Sequence, residues 1–80
     1  MLDELKTQRK VVGIKQLRKS LKDGQVVCAF VAMNADPQLT DPLTEECQRL
    51  GVELVEVATM EALGKACGIA VGAAAAGLLA

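Results

Sequence analysis

Histidine, tryptophan and tyrosine are missing from this 80-residue chain, and phenylalanine occurs once, at Phe30. Without histidine the commonest general acid–base group is gone. The carboxylates are scattered along helix exteriors rather than paired in apolar surroundings, so no catalytic constellation can be assembled and the chain is expected not to be an enzyme. Without aromatics it has no platform on which bases could stack. Cys28, Cys47 and Cys67 are odd in number, form no CxxC pair and have no histidine to help hold a metal. They read as small buried hydrophobes in a reducing compartment, and neither a metal nor another cofactor is expected. No weakly polar run reaches the ~20 residues that a transmembrane helix needs. Met1 to Lys10 carries charges of both signs instead of the apolar stretch of a secretory signal. A cytoplasmic protein without membrane contact is the expectation.

What is present is apolar aliphatic residue, with 51% of the chain hydrophobic and mostly Val, Leu and Ala. That is ample for a core, and the length suits one domain, residues 1–80, with a narrow stability margin. The net charge of −1 hides an asymmetry. Residues 1–22 carry seven basic side chains against Asp3 and Glu4, a net of +5, and residues 23–80 carry Arg49 and Lys65 against eight acids, a net of −6. A basic end on an acidic body suggests directed contact with an anion.

Along the chain, helical and strand patterns alternate. Leu2 to Gln8 reads as a short helix docked by Leu2 and Leu5. Lys10-Val11-Val12 reads as a brief strand that ends at Gly13. Ile14, Leu17 and Leu21 then fall at helical spacing, and Asp23-Gly24 closes that helix. Val26 to Met33 is continuously apolar, as in a strand covered on both faces. Asn34-Ala35-Asp36-Pro37 reads as a turn, after which Asp41 and Pro42 are the expected N-cap and first residue of a helix with Leu43, Cys47 and Leu50 inward and Gly51 at its end. Val52 to Val57 reads as a further strand with Glu53 and Glu56 outward. Thr59 caps a helix with Met60, Leu63 and Ala66 toward the core and Gly68 at its end. Val71 to Ala80 is ambiguous, its alanines favouring helix while the sheet would gain from another strand. The alternation points to an α/β class with helices on both sides of a mixed sheet. Gly64, Gly68 and Gly72 lack the Gly-Lys-Ser/Thr of a phosphate loop and are expected to serve caps and tight turns.

One segment carries chemistry. Gly13 sits at a strand-to-helix junction, and Lys15, Gln16 and Lys19 share the face opposite Ile14 and Leu21. A helix N-terminus offers unpaired N–H groups and the positive end of a dipole, a natural seat for phosphate. Lysine can donate to guanine O6 and N7, and glutamine can both donate and accept. A plain solvated helix face would carry the same residues.

The string from Val12 through Gly13-Ile14-Lys15-Gln16-Leu17-Arg18-Lys19-Ser20-Leu21-Lys22 to Asp23-Gly24 resembles the L7Ae/L30e ribosomal protein family, most closely its small bacterial kink-turn-binding members. The resemblance continues through Ala35-Asp36-Pro37 and Val57-Ala58-Thr59-Met60. It is strongest at Leu63-Gly64-Lys65-Ala66-Cys67-Gly68-Ile69-Ala70-Val71-Gly72-Ala73-Ala74-Ala75, and so covers nearly the whole chain in order. It implies a three-layer α/β/α sandwich around a four-stranded mixed sheet, with Ala73 to Leu79 as a strand. It also implies binding of kink-turns, in which a short bulge flanked by sheared G·A pairs bends a duplex. By position, Gly13, Ile14, Lys15, Gln16 and Lys19 would face the G·A pairs, and Ile69, Ala70 and Val71 would form an apolar loop over the bulged nucleotides. Lys15-Gln16 is the bacterial version of a pair that is usually Asn-Glu in archaeal and eukaryotic members, and Ala70 stands where an acidic residue is common. The implied partner is structured RNA with a kink-turn (ribosomal RNA, a riboswitch or another transcript), the ribosome is a candidate partner, and the protein would act as a monomer. The competing expectation is an accessory or protein-interaction domain that kept the fold and lost RNA binding.

Overall fold

A computed structural model describes residues 9–80; the helix expected over Leu2 to Gln8 lies outside the described residues. The sheet is built outward from β2 (Val26–Ala32). Successive side chains of a strand point to opposite faces. Cys28, Phe30 and Ala32 therefore enter one core cluster while Ala29 and Val31 enter another. β3 (Glu53–Val57) pairs parallel with β2, from Cys28 opposite Glu53 to Ala32 opposite Val57. On the other side of β2 lies β4 (Ala75–Leu79), antiparallel, and beyond it β1 (Lys10–Val12), also antiparallel to β4. The order is β1-β4-β2-β3, a four-stranded mixed sheet. An irregularity between Val26 and Cys28 breaks the alternation, and Val27 is 58% exposed.

Helices α1 (Ile14–Lys22) and α2 (Pro37–Leu50) cover one face through Leu17, Leu21, Leu43 and Cys47. Helix α3 (Met60–Ala66) covers the other through Leu63, with Cys67 just beyond its end. These are the three layers of an α/β/α sandwich. α1 comes very close to the sheet: a Cβ at Gly77 of β4 would lie 2.6 Å from Leu17 Cδ1. Ala75 and Gly77 are small on the face where α1 rests, while Ala76 faces the opposite cluster with Leu63. The alternative of a helix over Val71 to Ala80 thus resolves as strand, beginning two residues later than Ala73. All three cysteines are buried, and no helix among the described residues is long and apolar enough to cross a membrane.

Three expectations need correction. α2 begins at Pro37, five residues before Pro42, because Asp36 is the N-cap and its carboxylate accepts from Gln38 N at 2.9 Å. Pro42 lies inside the helix, where its missing N–H leaves one carbonyl of the first turns without the usual donor. β2 stops at Ala32, and Met33 turns out into solvent at 58% exposure. Leu50 and Met60, expected inward, are exposed at the ends of their helices.

The strand directions decide where function can sit. β1, β2 and β3 run the same way, so their C-terminal ends, the start of β4 and the N-termini of all three helices meet at one edge of the sheet.

Candidate nucleic-acid interface

The first component of that edge is the start of α1. Gly13 is its N-cap with φ +106°, a conformation that L side chains rarely adopt, and no side chain among the described residues caps the helix. N–H groups in the first turn have no intrahelical acceptor, so they open toward solvent at the sheet edge. Lys15, Gln16 and Lys19 are exposed. Ile14 is half-buried against Leu17 and its cluster, so its backbone rather than its side chain belongs to the rim.

The second component is the loop between α3 and β4. Gly68 reverses the chain with φ +79°, and Ile69 N–H donates to Gly64 O at 3.1 Å. Ile69 is 37% exposed and Val71 71% exposed, with Ala70 open between them. Three apolar residues are thus held in water on one loop. What holds them is a close approach of backbones. Gly64 is buried in α3, and a Cβ there would overlap the carbonyl oxygen of Val71 and stand 3.0 Å from Gly72 Cα. Ala73 N–H donates to Met60 O at 3.0 Å, fixing the far end of the loop. Gly68 serves a turn as expected, and the Gly64 carbonyl helps close the helix end, but that role does not require Gly64 to be glycine. Gly64 is the space into which the loop fits.

The two components are joined through the start of β4. Gly13 N–H donates to Ala75 O at 2.8 Å and Ala32 N–H to Ala74 O at 2.9 Å. Residues some sixty positions apart therefore share one rim. A third segment joins it: Asn34 Oδ1 accepts from Met60 N–H at 2.8 Å, supplementing Thr59, whose hydroxyl accepts from Ala62 N–H at 3.0 Å. Met33 and Met60 add exposed apolar surface beside this tie. In the sequence Met33-Asn34 stood out only as a pair that replaces a more polar one before Ala35-Asp36-Pro37, and Met60 as a core residue. The partner of Asn34, 26 residues away, has no local signature.

Electrostatically the rim is one-sided. Lys15, Arg18, Lys19 and Lys22 line a single shallow depression on α1, while the loop residues are uncharged. Among the described residues no group of three or more His, Cys, Asp or Glu side chains could hold a metal. Burial, with a smaller push from Glu46, raises the Cys47 thiol above its ordinary value. Burial raises Cys67 also, against the opposing charge of Lys10. Both are protonated at neutral pH and are poor nucleophiles. The arrangement offers N–H groups, lysines and an apolar flap around one opening.

A three-layer sandwich with helix starts and a glycine-held loop on one sheet edge has known relatives. Residues 2–79 match the ribosomal protein L7Ae/L30e/S12e/Gadd45 family, and the chain belongs to it. It is 46% identical over 69 residues to an RNA-binding protein of Bacillus pumilus (strain SAFR-032), which covers 86% of this chain and 84% of the relative. It is 40% identical over 75 residues to the RNA-binding protein GWCH70_0105 of Geobacillus sp. (strain WCH70), covering 94% of this chain and 92% of the relative. Among solved structures it is similar to the 15.5kD RNA binding protein of Giardia lamblia, with a TM-score of 0.90 and 26% identity over 99% of this chain and 70% of that one.

Proposed function

We propose that this chain is a single non-enzymatic domain that binds RNA and recognises kink-turns by shape. The observation that carries the reading is the Gly13–Ala75 hydrogen bond, which sets an uncapped basic helix start and an exposed apolar loop on one rim. Its relatives in Bacillus and Geobacillus and the Giardia neighbour, each an RNA-binding protein by name, support the RNA partner.

A kink-turn presents what a straight duplex hides. Sheared G·A pairs turn guanine edges outward, and the bulge releases bases from the stack. Lys15, Gln16 and Lys19 donate to guanine acceptors, and the first-turn N–H groups take a phosphate or base oxygen. Ile69, Ala70 and Val71 cover unstacked bases. Regular A-form RNA offers neither target, since its major groove is too narrow to read. A ligand shifts a conformational equilibrium only by its differential affinity for the two states, and here the guanine edges and the unstacked bases are open to these groups in the kinked state alone.

The test is an end-labelled kink-turn RNA without Mg²⁺. Adding protein is expected to raise energy transfer between the ends, and converting the G·A pairs to Watson–Crick pairs to abolish the response. Val71→Asp, which sets a charge against the bulge, should blunt it. If the Watson–Crick control bends equally well, or Val71→Asp behaves as wild type, shape recognition by these two groups is wrong. Binding to a kink-turn no tighter than to a straight duplex would favour an accessory domain that no longer reads RNA.

A further inference from the structure

We infer that α1 also carries a phosphate-tracking face for the duplex stem that leaves the kink, running from Lys15 and Lys19 to Arg18 and Lys22 and bounded by the acidic side of α2. The inference rests on the reading above in that the partner is RNA. It adds the direction in which the stem lies and two residues not assigned to the kink.

Lys15, Arg18, Lys19 and Lys22 fall at i, i+3, i+4 and i+7, one face of the helix, and all four are exposed in the same shallow depression. At 1.5 Å per residue they span about 10 Å along the axis. None of them has an ion-pair partner among the described residues, where the one salt bridge is Arg49 with Glu46 at 3.3 Å. The arrangement works against the helix that bears it. Like charges three and four apart repel. The first turn holds no acid, and Lys15 stands at the positive end of the helix dipole. Lys19 and Lys22 in the last turn do suit the dipole, but that leaves the first-turn charge and the repulsions uncompensated. A polyanion compensates both. A duplex carries one charge per ~1.7 Å of its axis, so about six phosphates lie within reach of those ~10 Å.

The boundary lies on α2. A second depression, adjoining the first at Arg18, is lined by Pro42, Glu45, Glu46 and Arg49. Glu46 is held by Arg49, whereas Glu45 is exposed and no cation among the described residues pairs with it. A stem that drifts across α2 meets these carboxylates with its phosphates. The stem is therefore confined to α1, running from the rim toward the opposite edge of the sheet.

The experiment titrates protein into three RNAs between 50 and 200 mM KCl: a kink-turn with both stems long, and the same kink with one or the other stem trimmed. Arg18→Ala and Lys22→Ala are each expected to weaken binding of the long RNA and to reduce its log–log salt slope by about 0.9, which is about 3.5-fold over that salt range. Trimming one particular stem should reproduce the loss in wild type, and on that trimmed RNA the two variants should bind as wild type does. Glu45→Gln should strengthen binding of the long RNA. Both basic residues are exposed, and circular dichroism checks the fold. An unchanged slope on the long RNA overturns the inference, as does an equal loss on every RNA. Loss of preference for the kink over its Watson–Crick control, with the slope effects intact, instead overturns the kink-turn reading and leaves the phosphate face standing.

Discussion

Replacing Gly64 with alanine separates two opposing effects. In an open helix interior the change would stabilise by about 0.5–1 kcal/mol, because glycine loses more backbone freedom on folding. At this position the new methyl would overlap the carbonyl oxygen of Val71, and it would stand 3.0 Å from Gly72 Cα and 3.1 Å from the Val71 carbonyl carbon. Carbon atoms in ordinary contact are ~3.5 Å or more apart. The crowding atoms are backbone, and the next residue is tied by Ala73 N–H to Met60 O at 3.0 Å, so no side chain can swing aside. The loop must move as a piece. Overpacking costs about 1–3 kcal/mol, and overlap with backbone belongs at the upper end of that range, which leaves a net loss of about 2 kcal/mol after the helix gain. For a domain of this size that is a fall in Tm of roughly 5–15 °C, read by circular dichroism on melting. Because the displaced piece carries Ile69 to Val71, preference for a kink-turn over a straight duplex should fall, while duplex binding through α1 stays. A Tm equal to or above that of wild type would refute the packing argument, and a retained kink preference would refute the link from Gly64 to recognition.

Lys19→Ala is expected to weaken kink-turn binding by about 1–3 kcal/mol, as for a lost base-edge contact, and Gln16→Ala by less; equal affinity in a folded Lys19→Ala protein, measured by titration, would remove Lys19 from the interface. Asn34→Ala leaves Met60 N–H without its acceptor and should cost ~1 kcal/mol, comparable to the loss of a helix cap, with urea unfolding as the measure. The raised thiols make stability depend on alkaline pH. With folded values above the ordinary 9.0, the unfolded chain loses these protons first, so stability is complete below about pH 9 and falls as pH rises through the folded values. Urea midpoints between pH 7.5 and 10 should show that fall, smaller in Cys47→Ala; a midpoint that rises above pH 9 would contradict it.

Much of this architecture was legible because local and tertiary demands agree. The strand from Val26, the helix from Ile14 to Lys22 and the stop at Gly51 each follow from period, burial and turn chemistry. The start of α2 did not, because Asp36-Pro37 and Asp41-Pro42 send the same local signal five residues apart. The earlier pair wins since the extra turn brings Thr40 to the core side, where it is buried. By local pattern Val71 to Ala80 read equally well as helix, and only the resemblance implied a strand; pairing with β1 and β2 makes 75–79 a strand, and the closeness of Leu17 explains the glycine at position 77. At the candidate interface, the exposed charges of α1 were readable from their spacing. The roles of Gly64 and Asn34 were not, since each is defined by a partner far along the chain.

The position of β4 has a consequence for how the protein comes into being. Among the described residues β1 pairs with β4 alone, and β4 separates β1 from β2. Until residues 75–79 are in place, a growing polypeptide holds Lys15 and Lys19 but has nothing to anchor Gly13 and no closed loop opposite. Pairings of such high sequence separation form slowly. On the proposed two-sided recognition, an RNA that requires both sides of the rim would be taken up only by a finished sheet, so that binding would report completion of the fold.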